Sequence, residues 1–218
     1  MGIRDEQMSG MLIAFEGLDQ SGKETQAHRL RERLREAGHK VRLLSFPDYG
    51  TSIGEEIARA LQGEREYGSD VMQLLFVANR HERREAILEW VAGGLILLCD
   101  RYRASSIAYG EAQGLDIVWL EAIQSFLPSA DLTIFIDIAP ETAVQRKAQN
   151  RDRYERDTEL LHRVRQSYHR QSAQPNWVKI DGERSKDEIA DDVFDTVMAR
   201  LTVTRDSGLG IGGLGIRD

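Results

Sequence analysis

Five short, mostly apolar runs recur along the chain and constrain its fold more than any other feature. They occupy residues 11–16, 40–46, 95–100, 132–137 and 177–181. Runs that are apolar throughout, without polar residues at alternate positions, are typical of strands buried on both faces of a sheet. Stretches with the 3.6-residue period of an amphipathic helix lie between them. The alternation predicts an α/β fold in which a five-stranded parallel sheet is flanked by helices on both faces.

Local patterns also predict where two of the helices begin. Ser69 is expected to cap a long helix, whose inner face would be formed by four residues: Val71, Leu74, Leu75 and Ala78. Residues 185–188, Ser-Lys-Asp-Glu, have the spacing of a capping box and are expected to open the last helix. Ligands of parallel sheets bind beyond the carboxyl ends of the strands, so the residues that end or directly follow four of the strands should surround one crevice. These residues are Gly17, Phe46, Asp100 and Asp137.

Length and composition favour a single domain. The 218 residues suffice for one α/β domain but not comfortably for two. We predict an N-terminal extension at residues 1–10, one domain over residues 11–201 and a flexible, glycine-rich tail at residues 202–218. The polar start lacks the apolar segment of a secretion signal, and no apolar run approaches the ~18 residues that cross a bilayer.

Charge and cysteine content narrow the partners and the compartment. A net charge of −7 argues against a broad nucleic-acid-binding surface, which needs an excess of basic residues. The single cysteine, Cys99, cannot form an internal disulfide and follows an apolar run, so we expect it in the core. We therefore expect a cytoplasmic protein that has neither nucleic acid nor membrane as a partner.

A glycine-rich loop follows the first predicted strand and opens the first predicted helix. Its residues are Gly17, Leu18, Asp19, Gln20, Ser21, Gly22, Lys23, Glu24 and Thr25. Glycines allow successive backbone N–H groups to converge on phosphate oxygens, and the helix N-terminus adds its partial positive charge. Lys23 supplies a full positive charge at the same point. In this strand–loop–helix context, a site for a nucleoside polyphosphate is favoured over a glycine-rich turn with a surface lysine.

Two positions in this loop depart from the usual phosphate-loop pattern. Glu24 stands where a Ser or Thr hydroxyl would bind Mg²⁺, so we expect Glu24 to point away and Mg²⁺ to be held mainly by phosphate oxygens, water and another carboxylate. Because residue 20 is glutamine, Lys23 is the only cation of the loop, and further positive charge must come from elsewhere. Arg101 and the arginine-rich segment 146–156 can supply it. That segment could be a solvated linker, but opposite this loop a mobile lid over ATP explains it better.

The ordered motifs of the chain resemble those of thymidylate kinases. The motifs lie at residues 15–23, 46–51 (Phe-Pro-Asp-Tyr-Gly-Thr), 75–80 (Leu-Phe-Val-Ala-Asn-Arg), 100–109 and 153–155 (Arg-Tyr-Glu). The resemblance extends over about residues 11–201 and is to the bacterial branch, which carries its catalytic arginines in the lid. It implies a three-layer P-loop nucleoside monophosphate kinase fold, and a homodimer packed through long helices that include residues 69–91.

The resemblance also implies which residues bind the donor and catalyse the reaction. ATP would be bound by the loop residues Gly17 to Thr25 and by Arg146, which would stack on adenine opposite residues 181–183. The implied catalytic residues are Lys23, Arg101, Arg151, Arg153 and Asp19. Mg²⁺ would be bound together with ATP, with Asp19 and Glu155 as its protein ligands.

The acceptor implied by the resemblance is dTMP. Its site would comprise Asp19, Phe46, Tyr49, Phe76, Arg80, Arg101, Ser105, Ser106, Tyr109 and Tyr154. Phe76 would stack on the pyrimidine and Arg80, one helical turn later, would donate to the base O4. Tyr109 would crowd the 2′ position of the sugar, and both serines lie in the segment that reads the base edge. Asp48 departs from the family, where arginine often follows Phe-Pro, and this would move capture of the acceptor phosphate to Arg101 and Arg80.

The expected reaction is direct, in-line transfer of the γ-phosphoryl group of MgATP to the 5′-phosphate of dTMP. Another deoxynucleotide kinase or a deoxynucleoside kinase is the nearest alternative, and the latter would need a carboxylate base at the sugar 5′-hydroxyl. Glu24 leaves open a second alternative, a nucleotide-binding protein that has lost turnover.

Overall fold

A computed structural model describes residues 10–146 and 157–208 of the chain. Four residues of the predicted site, Arg151, Arg153, Tyr154 and Glu155, lie outside this range, as do almost all of the predicted lid, most of the N-terminal extension and the end of the tail. None of the helices in the described ranges is long and apolar enough to cross a membrane.

Five strands form one sheet in the order β2-β3-β1-β4-β5. They are β1 (Met11–Glu16), β2 (Val41–Ser45), β3 (Ile96–Asp100), β4 (Leu132–Asp137) and β5 (Trp177–Asp181). Every pairing between neighbours is parallel, so the predicted five-stranded parallel sheet is confirmed. The predicted bounds differ from the observed ones by one residue at each end of β2 and at the start of β3.

Helices cover both faces of the sheet. They are α1 (Lys23–Glu36), α2 (Ser52–Gln62), α3 (Ser69–His81), α4 (Arg84–Ala92), α5 (Arg103–Ala112), α6 (Ile117–Ala122), α7 (Pro140–Arg146), α8 (Thr158–Gln171) and α9 (Lys186–Gly208). Adjacent residues of β1 enter different cores, since Ile13 packs with Leu30 and Val193 of α1 and α9, whereas Leu12 packs with Ile87 of α4. Cys99 is fully buried, as predicted. The three-layer arrangement is therefore confirmed.

The predicted capping box opens α9. Ser185 Oγ accepts a hydrogen bond from the Glu188 backbone N–H at 3.3 Å, and the Glu188 carboxylate accepts one from the Ser185 backbone N–H at 3.1 Å. Each side chain thus satisfies a backbone donor that the first turn of a helix leaves without a partner. The capping box fixes the start of α9 beside the end of β5.

The long helix predicted from Ser69 differs from the observed structure in two ways. It is two helices, α3 and α4, separated at residues 82–83, and the N-cap of α3 is Gly68 instead of Ser69. Its predicted inner face is also wrong at two of the four positions, because Val71 is 38% exposed and Leu74 is 46% exposed, whereas Leu75 packs against the core. The buried face of α3 includes polar side chains, and its residues are Met72, Gln73, Val77, Asn79 and Arg80. Tertiary packing, which a count of apolar residues does not reveal, decides which face is covered.

Candidate active site

A cleft of about 870 Å³ opens beyond the carboxyl ends of β1, β2 and β3. Its volume lies in the upper part of the range of small-molecule sites. The loop after β1, residues after β2 and β3, and side chains from α3, α5 and α9 line it. Asp137, the last residue of β4, was predicted to border the cleft but does not line it, because Arg165 and His169 of α8 hold its carboxylate at 2.7 and 3.0 Å.

The loop between β1 and α1 has a backbone that requires glycine at two points. Gly17 and Gly22 have φ angles of 139° and 98°, which side chains rarely allow. A Cβ at Gly17 would lie 2.4 Å from the Ile136 carbonyl oxygen. Gly22 is the N-cap of α1, so the positive end of this helix faces the cleft. The loop residues that line the cleft are Asp19, Gln20, Ser21, Gly22, Lys23, Glu24 and Thr25.

Two of the predicted ATP-binding residues of this loop, Gly17 and Leu18, face the protein interior and not the cleft. Gly17 contacts the backbone of Ile136, and the Leu18 side chain is buried in the core with Phe135. The carbonyl oxygen of Leu18 accepts a hydrogen bond of 2.6 Å from Lys23 Nζ. These two residues therefore shape the loop from the inside instead of lining the cleft.

Lys23 is buried at the base of the loop. Burial lowers its pKa to about 8, Arg101 acts in the same direction, and Asp19, Asp100 and Glu16 oppose the change. At neutral pH the ammonium group is still mostly protonated, but the neighbouring carboxylates do not fully offset the cost of burying its charge. An incoming polyphosphate would supply the compensating negative charge.

Arg101 connects the phosphate loop to α5. Its Nη2 donates to Asp19 Oδ1 at 2.7 Å, its Nη1 donates to Ser105 Oγ at 3.1 Å, and its guanidinium lies 5.2 Å from the ring centre of Tyr109. The Tyr109 hydroxyl donates to Asp19 Oδ2 at 3.1 Å. Arg101 has a φ of 64°, a backbone conformation that costs energy for a residue with a Cβ and is concentrated at functional sites.

This network holds Asp19 in its ionised form. Burial would raise the pKa of Asp19, but the charges of Arg101 and Lys23 outweigh burial and hold it well below its ordinary value. In turn Asp19 raises the pKa of Arg101 against the effect of burial. Asp19, Arg101 and Lys23 therefore stay charged at neutral pH, and they provide two cations and one anion at the centre of the cleft.

Glu16 lies beneath Arg101 and was not identified from the sequence. Its buried carboxylate accepts hydrogen bonds from the Tyr102 backbone N–H at 2.9 Å, Ser105 Oγ at 2.6 Å and the Tyr168 hydroxyl at 3.1 Å. Ser105 was predicted to read the base edge, yet its hydroxyl donates to Glu16 and accepts from Arg101. Glu16 and Ser105 therefore orient Arg101.

One wall of the cleft is formed by α3 and α5. Arg80 is 3% exposed, donates from Nη1 to Ser106 Oγ at 2.9 Å, and lies 5.9 Å from the ring centre of Phe46. Burial lowers its pKa to about 10, with Glu16 opposing the change, so the guanidinium is still charged at neutral pH. Phe76 and Tyr49 line the same cleft. The predicted acceptor residues inside the described ranges therefore come together.

The opposite wall joins the phosphate loop to the end of β5. Arg146 donates from Nη1 to the Gln20 carbonyl at 3.2 Å and from Nη2 to the Gly182 carbonyl at 3.0 Å. Residues 184–186 and Ile189 line the cleft on this side. Their part in the cleft was not predicted, since a capping box indicates a helix start and carries no signal for a ligand.

Asp100 is a second acidic residue of the cleft, where the sequence placed it without giving it a role. It ends β3 and lines the cleft, and its Oδ1 is buried without a hydrogen-bond partner among the residues that the structure describes. The carboxylate of Asp19, in contrast, is engaged by Arg101 and Tyr109. In the described ranges no group of three or more acidic, His or Cys side chains could hold a metal. One or two carboxylates fit Mg²⁺, which usually keeps water and phosphate ligands.

Comparison with known proteins links this site to one family. A family model described as thymidylate kinase matches residues 15–193. The thymidylate kinase of Arabidopsis thaliana is 35% identical over 203 residues, which are 92% of this chain and 76% of that protein. The thymidylate kinase of Dictyostelium discoideum is 33% identical over 199 residues, 89% of each chain. A solved structure of thymidylate kinase from Candida albicans has a TM-score of 0.76 at 29% identity, and the match covers 88% of this chain and 92% of that one.

Proposed function

Because this chain belongs to the thymidylate kinase family, we propose that it transfers the γ-phosphoryl group of ATP to dTMP and yields ADP and dTDP. The observation that carries the proposal is the position of Arg101 between two half-sites of one cleft. On one side Arg101 binds Asp19 of the phosphate loop, and on the other it contacts Ser105 and Tyr109 of α5. A cation in that place can neutralise both the donor and the acceptor phosphate.

Positioning and charge supply the catalysis. The glycine loop and the N-terminus of α1 orient the polyphosphate, and Lys23 and Arg101 neutralise the charge that develops on the transferring group. The acceptor phosphate is already ionised at neutral pH, so no general base is required. Arg151 and Arg153 of the predicted lid would add positive charge, which the loop lacks at residue 20 because that residue is a glutamine.

Mg²⁺ bound together with ATP would neutralise part of the charge on the phosphate oxygens. Asp100 is the protein ligand that we favour, since its buried oxygen has no partner in the described part of the chain. Asp19 lines the same cleft but already accepts hydrogen bonds from Arg101 and Tyr109. Glu155 stays a prediction.

The other wall would select the acceptor. Phe76 offers a flat apolar ring for the pyrimidine, and Arg80 can only donate hydrogen bonds, so it favours the 4-carbonyl of thymine over the 4-amino group of cytosine. Tyr109, fixed through its hydroxyl to Asp19, would crowd a ribose 2′-hydroxyl. Tyr49, which is 51% exposed, would contact the acceptor phosphate from the rim.

We further propose a cytoplasmic homodimer that has ATP and dTMP as its small-molecule partners. The exposed apolar side chains of α3 and α4, namely Val71, Leu74 and Leu88, support self-association through these helices. A single, buried cysteine fits a reducing compartment. Association with nucleic acid is disfavoured by the net charge of −7.

An acceptor panel tests the proposed reaction. ADP formation is measured with MgATP and, in turn, dTMP, dUMP, dCMP and thymidine. We expect the largest kcat/KM with dTMP. A preference for thymidine would indicate a deoxynucleoside kinase, and tight binding of ATP and dTMP without ADP formation would indicate a binding protein without turnover.

A matched pair of arginine variants tests the mechanism in the same assay. Arg101→Met should lower kcat about 10²-fold or more, since it removes a charge that acts on the transition state. Arg103→Met is the control, because Arg103 is two residues away and donates to the Leu127 carbonyl and Ser129 outside the cleft. Equal kcat values for the two variants would contradict the central role of Arg101.

A further inference from the structure

Helix α3 carries a fully buried glutamine whose side chain has no hydrogen-bond partner within the described ranges. Gln73 is 0% exposed, and neither its Oε1 nor its Nε2 is bonded to any residue that the structure describes. Buried amides are almost always paired, because an unpaired one loses its hydrogen bonds to water without replacement. Gln73 nevertheless lines the cleft. A ligand in the cleft is therefore a natural source of the missing partners.

The position of Gln73 on α3 indicates which part of the ligand it would contact. Gln73, Phe76 and Arg80 are spaced at i, i+3 and i+7, so they lie on one face of the helix. All three line the cleft. The Nε of Arg80 is also buried without a partner in the described chain, whereas its Nη1 is held by Ser106. Two polar groups that lack partners among the described residues thus lie before and after Phe76 on this face of α3, and the Phe76 ring would stack on the acceptor base.

We propose that the Gln73 carboxamide binds the N3–H of the acceptor pyrimidine together with one adjacent carbonyl oxygen. This inference rests on the proposed function, since it takes dTMP as the acceptor. The thymine edge presents an N–H donor between two carbonyl acceptors, and a carboxamide presents one acceptor beside donors, so the two groups can form a two-point pair.

Gln73 and Arg80 then have different parts in selecting the base. A carboxamide can turn over and pair equally well with cytosine, whose N3 accepts and whose amino group donates. Arg80 has only donors and cannot pair with that amino group. Gln73 therefore adds affinity for any base that can form two adjacent hydrogen bonds with a carboxamide. Arg80 selects the bases that carry a carbonyl group at position 4. Gln73 recognises the N3 edge, and Arg80 recognises O4.

The experiment compares Gln73→Met with the wild type, using dTMP and its N3-methyl derivative as acceptors at saturating MgATP. Methionine keeps the length of the side chain but removes both polar atoms. We expect the KM for dTMP to rise about tenfold, as for the loss of a two-point contact to a base, while kcat and the KM for ATP change less than about twofold. The wild type should prefer dTMP over the N3-methyl derivative, and the variant should lose most of this preference.

Gln124→Met is the matched control. Gln124 is also 0% exposed, and its Oε1 also lacks a partner among the described residues. Its Nε2 donates to the Leu120 carbonyl at 3.0 Å, and it does not line the cleft. We expect this control to leave the KM for dTMP and the preference between the two acceptors unchanged.

Thermal unfolding without ligand separates recognition from a structural role. Replacing an unpaired buried amide by methionine should leave the Tm of Gln73→Met equal to that of the wild type or above it. A lower Tm together with an equal rise in the KM for both acceptors would overturn the proposal. An unchanged KM for dTMP with an unchanged preference for dTMP over its N3-methyl derivative would also overturn it. If the wild type had no turnover, only the proposed function would fail. Dissociation constants measured by calorimetry for the two acceptors would then test the role of Gln73. If Gln73→Met still bound dTMP more tightly than the N3-methyl derivative, as the wild type does, the proposed contact would be overturned.

Discussion

At the scale of single residues, the charges of the cleft are close enough to change one another's protonation. Lys23 is the clearest case, because burial and Arg101 both lower its pKa, to about 8 from an ordinary value of 10.5. Near pH 8 the free protein therefore lacks part of the positive charge that a polyphosphate requires. Binding of the anion and protonation of this lysine must be coupled.

This coupling predicts proton uptake when MgATP binds. At pH 8 about half of the free molecules carry an uncharged Lys23, and the bound phosphates raise its pKa, so binding should take up about half a proton per site. The uptake should fall as the pH is lowered to 6.5, where Lys23 is already protonated in the free protein. Calorimetric titrations in two buffers of different ionisation enthalpy measure this number.

Lys23→Arg is the control for proton uptake, since arginine stays charged over this pH range. We expect the variant to show the same binding enthalpy in both buffers at pH 8. Buffer-independent enthalpies for the wild type at pH 8 would contradict the lowered pKa of Lys23.

The site residues that the sequence named, and that lie in the cleft, differ in kind from those it did not name. Lys23 and Arg101 lie in short motifs, so local spacing was sufficient to identify them. Glu16 is the last residue of an apolar run, and its role depends on Tyr168, which is 152 positions away along the chain. Such a hydrogen bond arises only when distant elements pack, and the sequence pattern around either residue does not indicate it.

At the scale of elements, the strands were predictable and one helix face was not. A strand buried on both faces is apolar throughout, so its identity is encoded locally. The buried face of α3 includes polar residues because the loop after β2 and helix α5 cover it. The Asn79 side chain shows this most clearly. Its Oδ1 accepts a hydrogen bond from the Asp48 backbone N–H at 2.7 Å, and its Nδ2 donates to the Asp48 carbonyl at 3.1 Å.

Asn79 is therefore expected to hold the loop that carries Tyr49. Asn79→Ala leaves the Asp48 backbone groups and the Thr51 hydroxyl without this partner, so it should lower the free energy of unfolding by about 1–3 kcal/mol. It should also raise the KM for dTMP more than the KM for ATP, because the loop borders the acceptor half of the cleft. Urea denaturation and steady-state kinetics measure the two effects.

Asn176→Ala is a matched asparagine variant away from the cleft. Asn176 Nδ2 donates one hydrogen bond to the Ala130 carbonyl at 3.0 Å, so its loss should cost some stability but leave both KM values unchanged. If Asn79→Ala behaved in the same way, Asn79 would have only a structural role.

At the scale of the whole molecule, α3 has two different faces. One face lines the cleft with Gln73, Phe76 and Arg80. Val71 and Leu74, which the sequence analysis assigned to the inner face, are exposed and lie near the start of the same helix. Apolar residues that follow a helical period without being buried within one chain are explained if a second copy covers them. The exposure of Val71 and Leu74 thus fits the proposed contact between two copies of the chain.

Leu74→Glu tests whether the wild type is a dimer through this surface. A charge in an apolar, two-fold interface is repeated in both copies, so we expect a monomer in sedimentation equilibrium at concentrations at which the wild type is a dimer. Val118→Glu, at a position on α6 that is 72% exposed, should leave the dimer intact. Because α3 also carries the acceptor wall, loss of the partner should loosen that wall and raise the KM for dTMP in Leu74→Glu alone. A wild type that is monomeric at all concentrations, or two variants with the same mass as a dimeric wild type, would show that α3 is not the interface.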